Sequence, residues 1–210
     1  ARIVRILMES HSLGAIASDL GIVALFIILG SFFVAAEIAL ISLRDSQVKQ
    51  LAGKSKRGAR VALLAENPNR FLSAVQVGVT LCGLFSAAIG AERLSVYLEP
   101  VLTDLGLSDS LANVLALIGI TLVVAYFSLV FGELAPKRIA LSRAENIAMG
   151  SAAIVDTFAK LFRPIIWVLS KSTDVVVRVF GVDPNETRNQ ISEEELLDLV
   201  AGHAAQIGRA

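Results

Sequence analysis

Cysteine, histidine and aromatic residues are scarce in this chain, and so is any imbalance of charge. Among 210 residues there is one cysteine, Cys82, two histidines, His11 and His203, and 6% aromatic side chains. A lone thiol inside an apolar segment has no partner for an intramolecular disulfide. With two isolated histidines in terminal polar stretches, no Cys/His metal spacing exists either. Lys+Arg and Asp+Glu both number 19, for a net charge of +0, so the charge balance gives no case for nucleic acid. A nucleophile motif, a Gly-rich phosphate loop and a carboxylate pair with a partner base are all missing. No residue set supports an enzyme, and no internal repeat or low-complexity tract is visible.

What fills the chain is Leu, Ile, Val and Ala. Apolar residues make up 55% of it, above the share of a typical soluble domain, and the mean hydropathy is +0.69. Three apolar runs stand out, at about 20–43, 71–98 and 111–135. The first, at ~1.5 Å per residue, is about 36 Å long, enough to cross a hydrocarbon core of roughly 30 Å with some tilt. A cleaved signal is disfavoured for it, because apolar residues continue past Val34-Ala35-Ala36 to Leu43 and basic residues follow. The fold class expected is therefore all-α, a polytopic membrane protein with three transmembrane helices plus juxtamembrane amphipathic helices.

The loops set an orientation. Between the first two runs lie Arg44, Lys49, Lys54, Lys56, Arg57, Arg60 and Arg70. Between the second and third the only basic residue is Arg93, among Glu92, Glu99, Asp104 and Asp109. Lys and Arg collect on the cytoplasmic side, which places the first loop and the C-terminus in the cytoplasm and the N-terminal segment 1–19 outside, in the cell membrane. Residues 45–62 read as a basic interfacial helix facing anionic headgroups. The segment 147–180 is apolar but interrupted by Asp156, Lys160, Arg163, Lys171, Asp174 and Arg178, with Arg163-Pro164 in its middle. Two interfacial amphipathic helices suit that pattern better than a fourth span. Residues 181–210 read as a linker followed by an acidic helix opened by Ser192, with Glu195 three residues on as in a capping box. That stretch looks like the start of a further soluble domain.

Polar groups inside the apolar runs are the candidate functional residues. They are Ser31 and Glu37 in the first, Ser73, Gln76 and Thr80 on one face of the second, and Thr121, Ser128 and Glu133 in the third. An ionisable residue in a span is a functional-site hypothesis by default. Glu133 is the strongest, because Pro136 follows and has no N–H to give to the carbonyl of Gly132. A helix break there would set a carboxylate beside a freed carbonyl, two oxygens that suit a hard cation such as Mg²⁺. Other readings stay open. The hydroxyls can bond their own helices, Gln76 can hold helices together, Glu37 can pair with Arg44, and Glu133 can pair with Lys137, against which Pro136 argues. Gly83, Ala87 and Ala91 form a small-residue seam, for packing within one chain or between two copies.

Three motifs occur in order: Phe32-Phe33-Val34-Ala35-Ala36-Glu37-Ile38-Ala39-Leu40, Gln76-Val77-Gly78-Val79-Thr80-Leu81 and Phe131-Gly132-Glu133-Leu134-Ala135-Pro136-Lys137. Together they resemble the transmembrane domain of the CorC/cyclin M (CNNM) family over roughly residues 20–200. The resemblance implies a homodimeric Mg²⁺ transporter with a belt of cytoplasmic helices. Export, coupled to Na⁺, is the activity it implies, and nucleotide would bind only to CBS modules absent from this sequence. Gly132, Glu133 and the polar face of the second span would line the ion site. Two positions depart from the pattern, Ala36 and Val79, where a small hydroxyl residue and an asparagine are usual. The alternative is a membrane scaffold or regulator of the same fold that transports nothing.

Overall fold

A computed structural model describes residues 13–66 and 68–181. The N-terminal residues 1–12 and the tail 182–210, with its expected acidic helix, lie outside the described residues, as do both histidines. Among the described residues the regular structure is helical throughout.

Helix α1 is Leu13–Ile41, α2 Asp45–Lys54, α3 Lys56–Ala65, α4 Pro68–Asp104 and α5 Asp109–Phe127. A π-helical segment, Ser128–Leu134, carries α5 directly into α6, Ala135–Ser142, and α7 is Ala144–Leu161. Three stretches, Leu13–Ile41, Arg70–Asp104 and Asp109–Ser142, are long and apolar enough to cross a membrane. The first begins at Leu13 rather than at residue 20, and the second extends past both expected ends.

The helices approach each other where side chains are small. An added Cβ at Gly30 would lie 3.4 Å from Cys82 Cβ, and one at Gly78 would lie 2.8 Å from the Phe33 ring. Towards the other end of the pair, Arg93 of α4 meets Asp19 of α1. Positions rise on α1 as they fall on α4, so the two run antiparallel. Helix α5 returns against α4 with Ala112, Ala116 and Val124 buried, and a Cβ on Gly90 would meet Val124 at 2.9 Å. Lipid is as apolar as leucine, so contacts of this kind, rather than exclusion of water, hold such helices together. The outward faces carry Leu25, Ile28, Leu84, Leu115 and Leu122, all exposed.

The short helices form a collar at one end of this three-helix core. The interfacial helix expected over 45–62 is two helices instead. Ser55 between them is extended, at φ −161° and ψ 159°, and its hydroxyl accepts the Gly58 N–H at 3.0 Å as the α3 N-cap. Gly58 is needed there, because a Cβ would collide with the Leu51 carbonyl. Helix α7 buries Ala148, Ser151, Ala152, Val155 and Ala159. It joins Phe33, Ala36, Ala39, Leu40, Leu51, Val61, Phe71, Val75 and Ala140 in one cluster. Phe158 of α7 packs on Phe33 with ring centroids 4.8 Å apart, and the Gln47 amide of α2 donates to Glu145 of α7 at 2.9 Å.

Residues 163 onward form a second unit. Its helix α8, Arg163–Val179, follows Phe162, where the chain leaves helical geometry at φ −88° and ψ 9°. The segment 147–180 is thus two helices meeting at Arg163-Pro164. In α8, Lys171 pairs with Asp174 at 3.6 Å, while Trp167, Val168, Val175 and Val176 are exposed.

The Phe33–Gly78 contact gives a direct test. Gly78→Val forces a branched side chain into the Phe33 ring and should destabilise the fold by about 1–3 kcal/mol. Gly150→Ala, which meets nothing within 4 Å, should not. Thermal unfolding of the two variants in detergent micelles checks the difference.

Candidate functional site

The third long helix does not break at Pro136. Leu134 and Ala135 both keep helical backbone angles, at φ −67° and ψ −47°. The chain instead widens into the π segment just before the proline, where the Ala135 N–H bonds the Val130 carbonyl five residues back. Carried one residue on, that register would ask Pro136 for an N–H to Phe131, and an α register would ask for one to Gly132. A proline supplies neither. Single π turns inside α-helices tend to mark functional sites.

Widening the turn changes what the neighbouring side chains meet. Gly132 is buried, and a Cβ there would lie 3.5 Å from Ser128 Oγ, 3.7 Å from Ile27 Cγ2 and 3.9 Å from the Ile27 carbonyl oxygen. The π segment therefore lies against α1, with a hydroxyl and a backbone carbonyl at the glycine. Glu133 follows and pairs with Lys137, Oε2 to Nζ at 3.3 Å. The objection from Pro136 fails because the chain stays helical through the proline, so the two residues share a face one turn apart.

Glu37 stands on α1 beside Ala36, Ala39 and Leu40, which are buried in one cluster with Ala140 of α6. Its charged neighbour is Lys137, whose ammonium acts on the Glu37 carboxylate, and not Arg44. Only Glu133 pairs with that lysine; Glu37 feels its charge without an ion pair. No three acidic, histidine or cysteine side chains come together among the described residues. An ion held at the π turn would have Glu133, the Ser128 hydroxyl and backbone carbonyls to draw on, while Glu37 stands further along α1 from the Ile27 that Gly132 meets. Mg²⁺ seeks six oxygens in octahedral array and sheds water reluctantly, so this set suits an ion that keeps part of its hydration shell.

The remaining candidates divide. Ser31 donates to the Ile28 carbonyl at 2.9 Å and Thr121 to the Leu117 carbonyl at 2.7 Å, each within its own helix. Gln76 and Thr80 bond each other at 3.5 Å and are both exposed. The face of α4 that packs on α1 is carried by Val75, Gly78 and Cys82 instead. Ser73 is half-buried on α4. Gly83 and Ala87 continue the exposed Gln76–Thr80 face, and Ala91 is half-buried. Ala36 is wholly buried and Val79 packs against the same core, so the two positions that depart from the motif pattern are filled by packing here.

A second polar cluster escaped the sequence reading. Asp19 of α1, with 13% of its side chain exposed, takes Arg93 Nη1 on Oδ1 at 2.9 Å and the Tyr97 hydroxyl on Oδ2 at 2.7 Å. The signal was one acid just ahead of the first run and one base near the end of the second. An antiparallel pair of spans brings those two positions to the same end. A carboxylate in apolar surroundings must be paired and hydrogen-bonded, and Arg93 with Tyr97 does both.

These features define an α-helical, three-span membrane protein with a polar site where a π turn, the first span and a collar meet. The chain belongs to the cyclin M family: the profile of the Cyclin M transmembrane N-terminal domain matches residues 20–209. It is 39% identical over 191 residues to the UPF0053 protein sll0260 of Synechocystis sp., covering 90% of this chain and 42% of that protein. It is 34% identical over 185 residues to the UPF0053 protein YrkA of Bacillus subtilis, covering 87% and 43%. To the Polyamine export protein of Haemophilus influenzae it is 32% identical over 190 residues, covering 90% and 43%. The chain spans about two fifths of the length of these relatives.

The Asp19 cluster predicts coupled energetics. Asp19→Ala should lower the melting temperature more than Tyr97→Phe, because it strands Arg93 as well as the hydroxyl. The double variant should melt close to Asp19→Ala alone. Additive losses in a micelle unfolding series would show that the three side chains do not act as a unit.

Proposed function

We propose that this chain is the membrane-embedded part of a cation exporter, and that Mg²⁺ is the ion. The observation that carries the reading is the intramembrane carboxylate of Glu133 beside the Gly132 π turn and the Ser128 hydroxyl, with a second carboxylate, Glu37, further along the neighbouring span. Carboxylates are costly in a bilayer without a counter-ion. The collar faces the cytoplasm, the N-terminus lies outside and the C-terminus inside, as the Lys/Arg distribution supports. Coupling to Na⁺ and nucleotide-binding CBS modules beyond this sequence belong to the same reading.

A second reading of the cargo has its own support. The group on Glu133 here is a primary ammonium on an alkyl chain, Lys137 Nζ, which is the chemistry of a polyamine end. A relative carries the name Polyamine export protein. The same carboxylates would serve either cargo. A scaffold that transports nothing is the third possibility, and the same experiment separates all three.

Reconstituted in proteoliposomes, the wild-type protein should move Mg²⁺ and Glu133→Gln should cut the flux at least about tenfold, the scale of losing one charged ligand. Equal flux in both removes Glu133 from the site. Spermidine flux without Mg²⁺ flux assigns the polyamine cargo. Absence of both fluxes, with loss of folding on Gln76→Leu, favours the scaffold.

The protein works as a homodimer in this reading. Gln76 and Thr80 are exposed on a span, where lipid offers them nothing, and Gly83 beside them has nothing within 4 Å of an added Cβ. A second copy on that face covers the polar groups and uses the small residues as its seam. Gly83→Ile should leave the fold of one chain intact and shift the protein from dimer to monomer in native mass spectrometry. A variant that stays dimeric places the seam elsewhere.

A further inference from the structure

Helix α8 carries a surface that the ion-site reading leaves unused. Its 17 residues rise about 26 Å, short of a hydrocarbon core of roughly 30 Å. It is not among the helices long and apolar enough to cross a membrane. Yet Ile166 is the one residue of α8 that is buried.

The sequence sorts the other residues into two rows. Ile165, Val168, Leu169, Val175, Val176 and Val179 recur at helical spacing and form one apolar stripe. All six are exposed, Val179 to 79%. Ser172 lies within the stripe and Thr173 at its edge. Their hydroxyls donate to the Val168 and Leu169 carbonyls, both at 2.9 Å, so the stripe needs no water to satisfy them. Arg163, Trp167, Lys171, Asp174 and Arg178 follow at steps of four, four, three and four, and make a second row beside the first.

That second row is basic. Lys171 and Asp174 pair at 3.6 Å. Among the described residues, no carboxylate pairs with Arg163 or Arg178. Two guanidiniums thus share a row with Trp167, which is exposed and is the one tryptophan of the chain. An indole has an apolar body and a polar N–H, and it settles at the level of lipid headgroups. A bilayer with anionic headgroups meets both rows at once. Its acyl chains take the stripe, and its headgroups take the cations.

We propose that α8 docks lengthwise on an anionic lipid surface, with the valine-rich stripe at the acyl boundary and Arg163, Trp167 and Arg178 at headgroup level. The docking ties the unit from residue 163 onward to the bilayer and makes headgroup charge an input to it. It stands independently of the cargo of the spans.

The test uses the full chain in nanodiscs of phosphatidylcholine, with and without phosphatidylglycerol, and reads Trp167 fluorescence. Anionic lipid should move the emission to shorter wavelength. It should also make lipids brominated near the glycerol end of the acyl chains better quenchers than lipids brominated near the methyl end. Salt should reverse both changes by screening. R163Q/R178Q should weaken the docking equilibrium on phosphatidylglycerol by about thirtyfold, the scale of two basic side chains at an anionic surface. R163K/R178K keeps both charges and should respond as wild type. V175D/V179D places carboxylates in the stripe and should abolish both changes. All four substituted positions are exposed, so the variants should keep the packing of the chain. Emission indifferent to headgroup charge, or shifted equally in R163Q/R178Q, overturns the proposal. Stronger quenching from the methyl end overturns it too, because α8 would then lie deep in the bilayer. A shift to shorter wavelength without quenching by lipid also overturns it, by showing protein on the stripe instead.

Discussion

The contact on which the rest of this protein depends is the Phe33 ring lying over the bare Cα of Gly78. In a bilayer no hydrophobic force draws one apolar helix to another, so the fit of surfaces has to do it. Gly78 and Gly30 let α1 and α4 close on each other, and the closeness sets the register of the pair. That register brings Asp19 to Arg93 and Tyr97 at one end. At the other it presents Phe33, Ala36 and Ala39 to the collar helices. Phe33 then serves twice, because its ring also receives Phe158 of α7. An aromatic pair of this kind contributes about 0.5–1.5 kcal/mol beyond its buried area.

Polar chemistry is admitted to the membrane only where the packing scheme leaves off. The π turn at Ser128–Leu134 lies directly before a proline that offers no N–H, and it is lined by a glycine small enough to approach α1. The costs of a widened turn, a missing donor and a carboxylate fall on one stretch of chain. Asp19 follows the other course, with both carboxylate oxygens engaged by side chains of the neighbouring span. One carboxylate is locked and the other is half open, although both lie in spans.

Ala36 and Val79 show how the same scaffold shifts its chemistry. Where the motif resemblance implied oxygens, this chain has Ala36, wholly buried, and Val79, partly buried against the same core. The packing loses nothing by it, since methyl groups fill the space. In the proposed site the local charge is then that of Glu133 and the Lys137 paired with it.

The sequence by itself determined the class of fold, because a run of apolar residues long enough to cross a bilayer has few alternatives to a helix there. Three spans and the collar were legible for that reason, and so was the division of 147–180 at Arg163-Pro164. Local rules failed where two elements had to meet. Pro136 read as a break, and only the π register showed how the helix absorbs it. Ser55 split one expected collar helix into two, since Gly58 has to pass the Leu51 carbonyl. Gln76 and Thr80 read as partners of Glu133 because periodicity gives a face but not the neighbour it meets. The seating of Gly132 against Ile27, and the capture of Asp19 by Arg93 and Tyr97, were decided by tertiary structure alone. Both depend on which helices touch and at what height, and that height is set by glycines and ring faces whose pairing no spacing rule along a single chain contains.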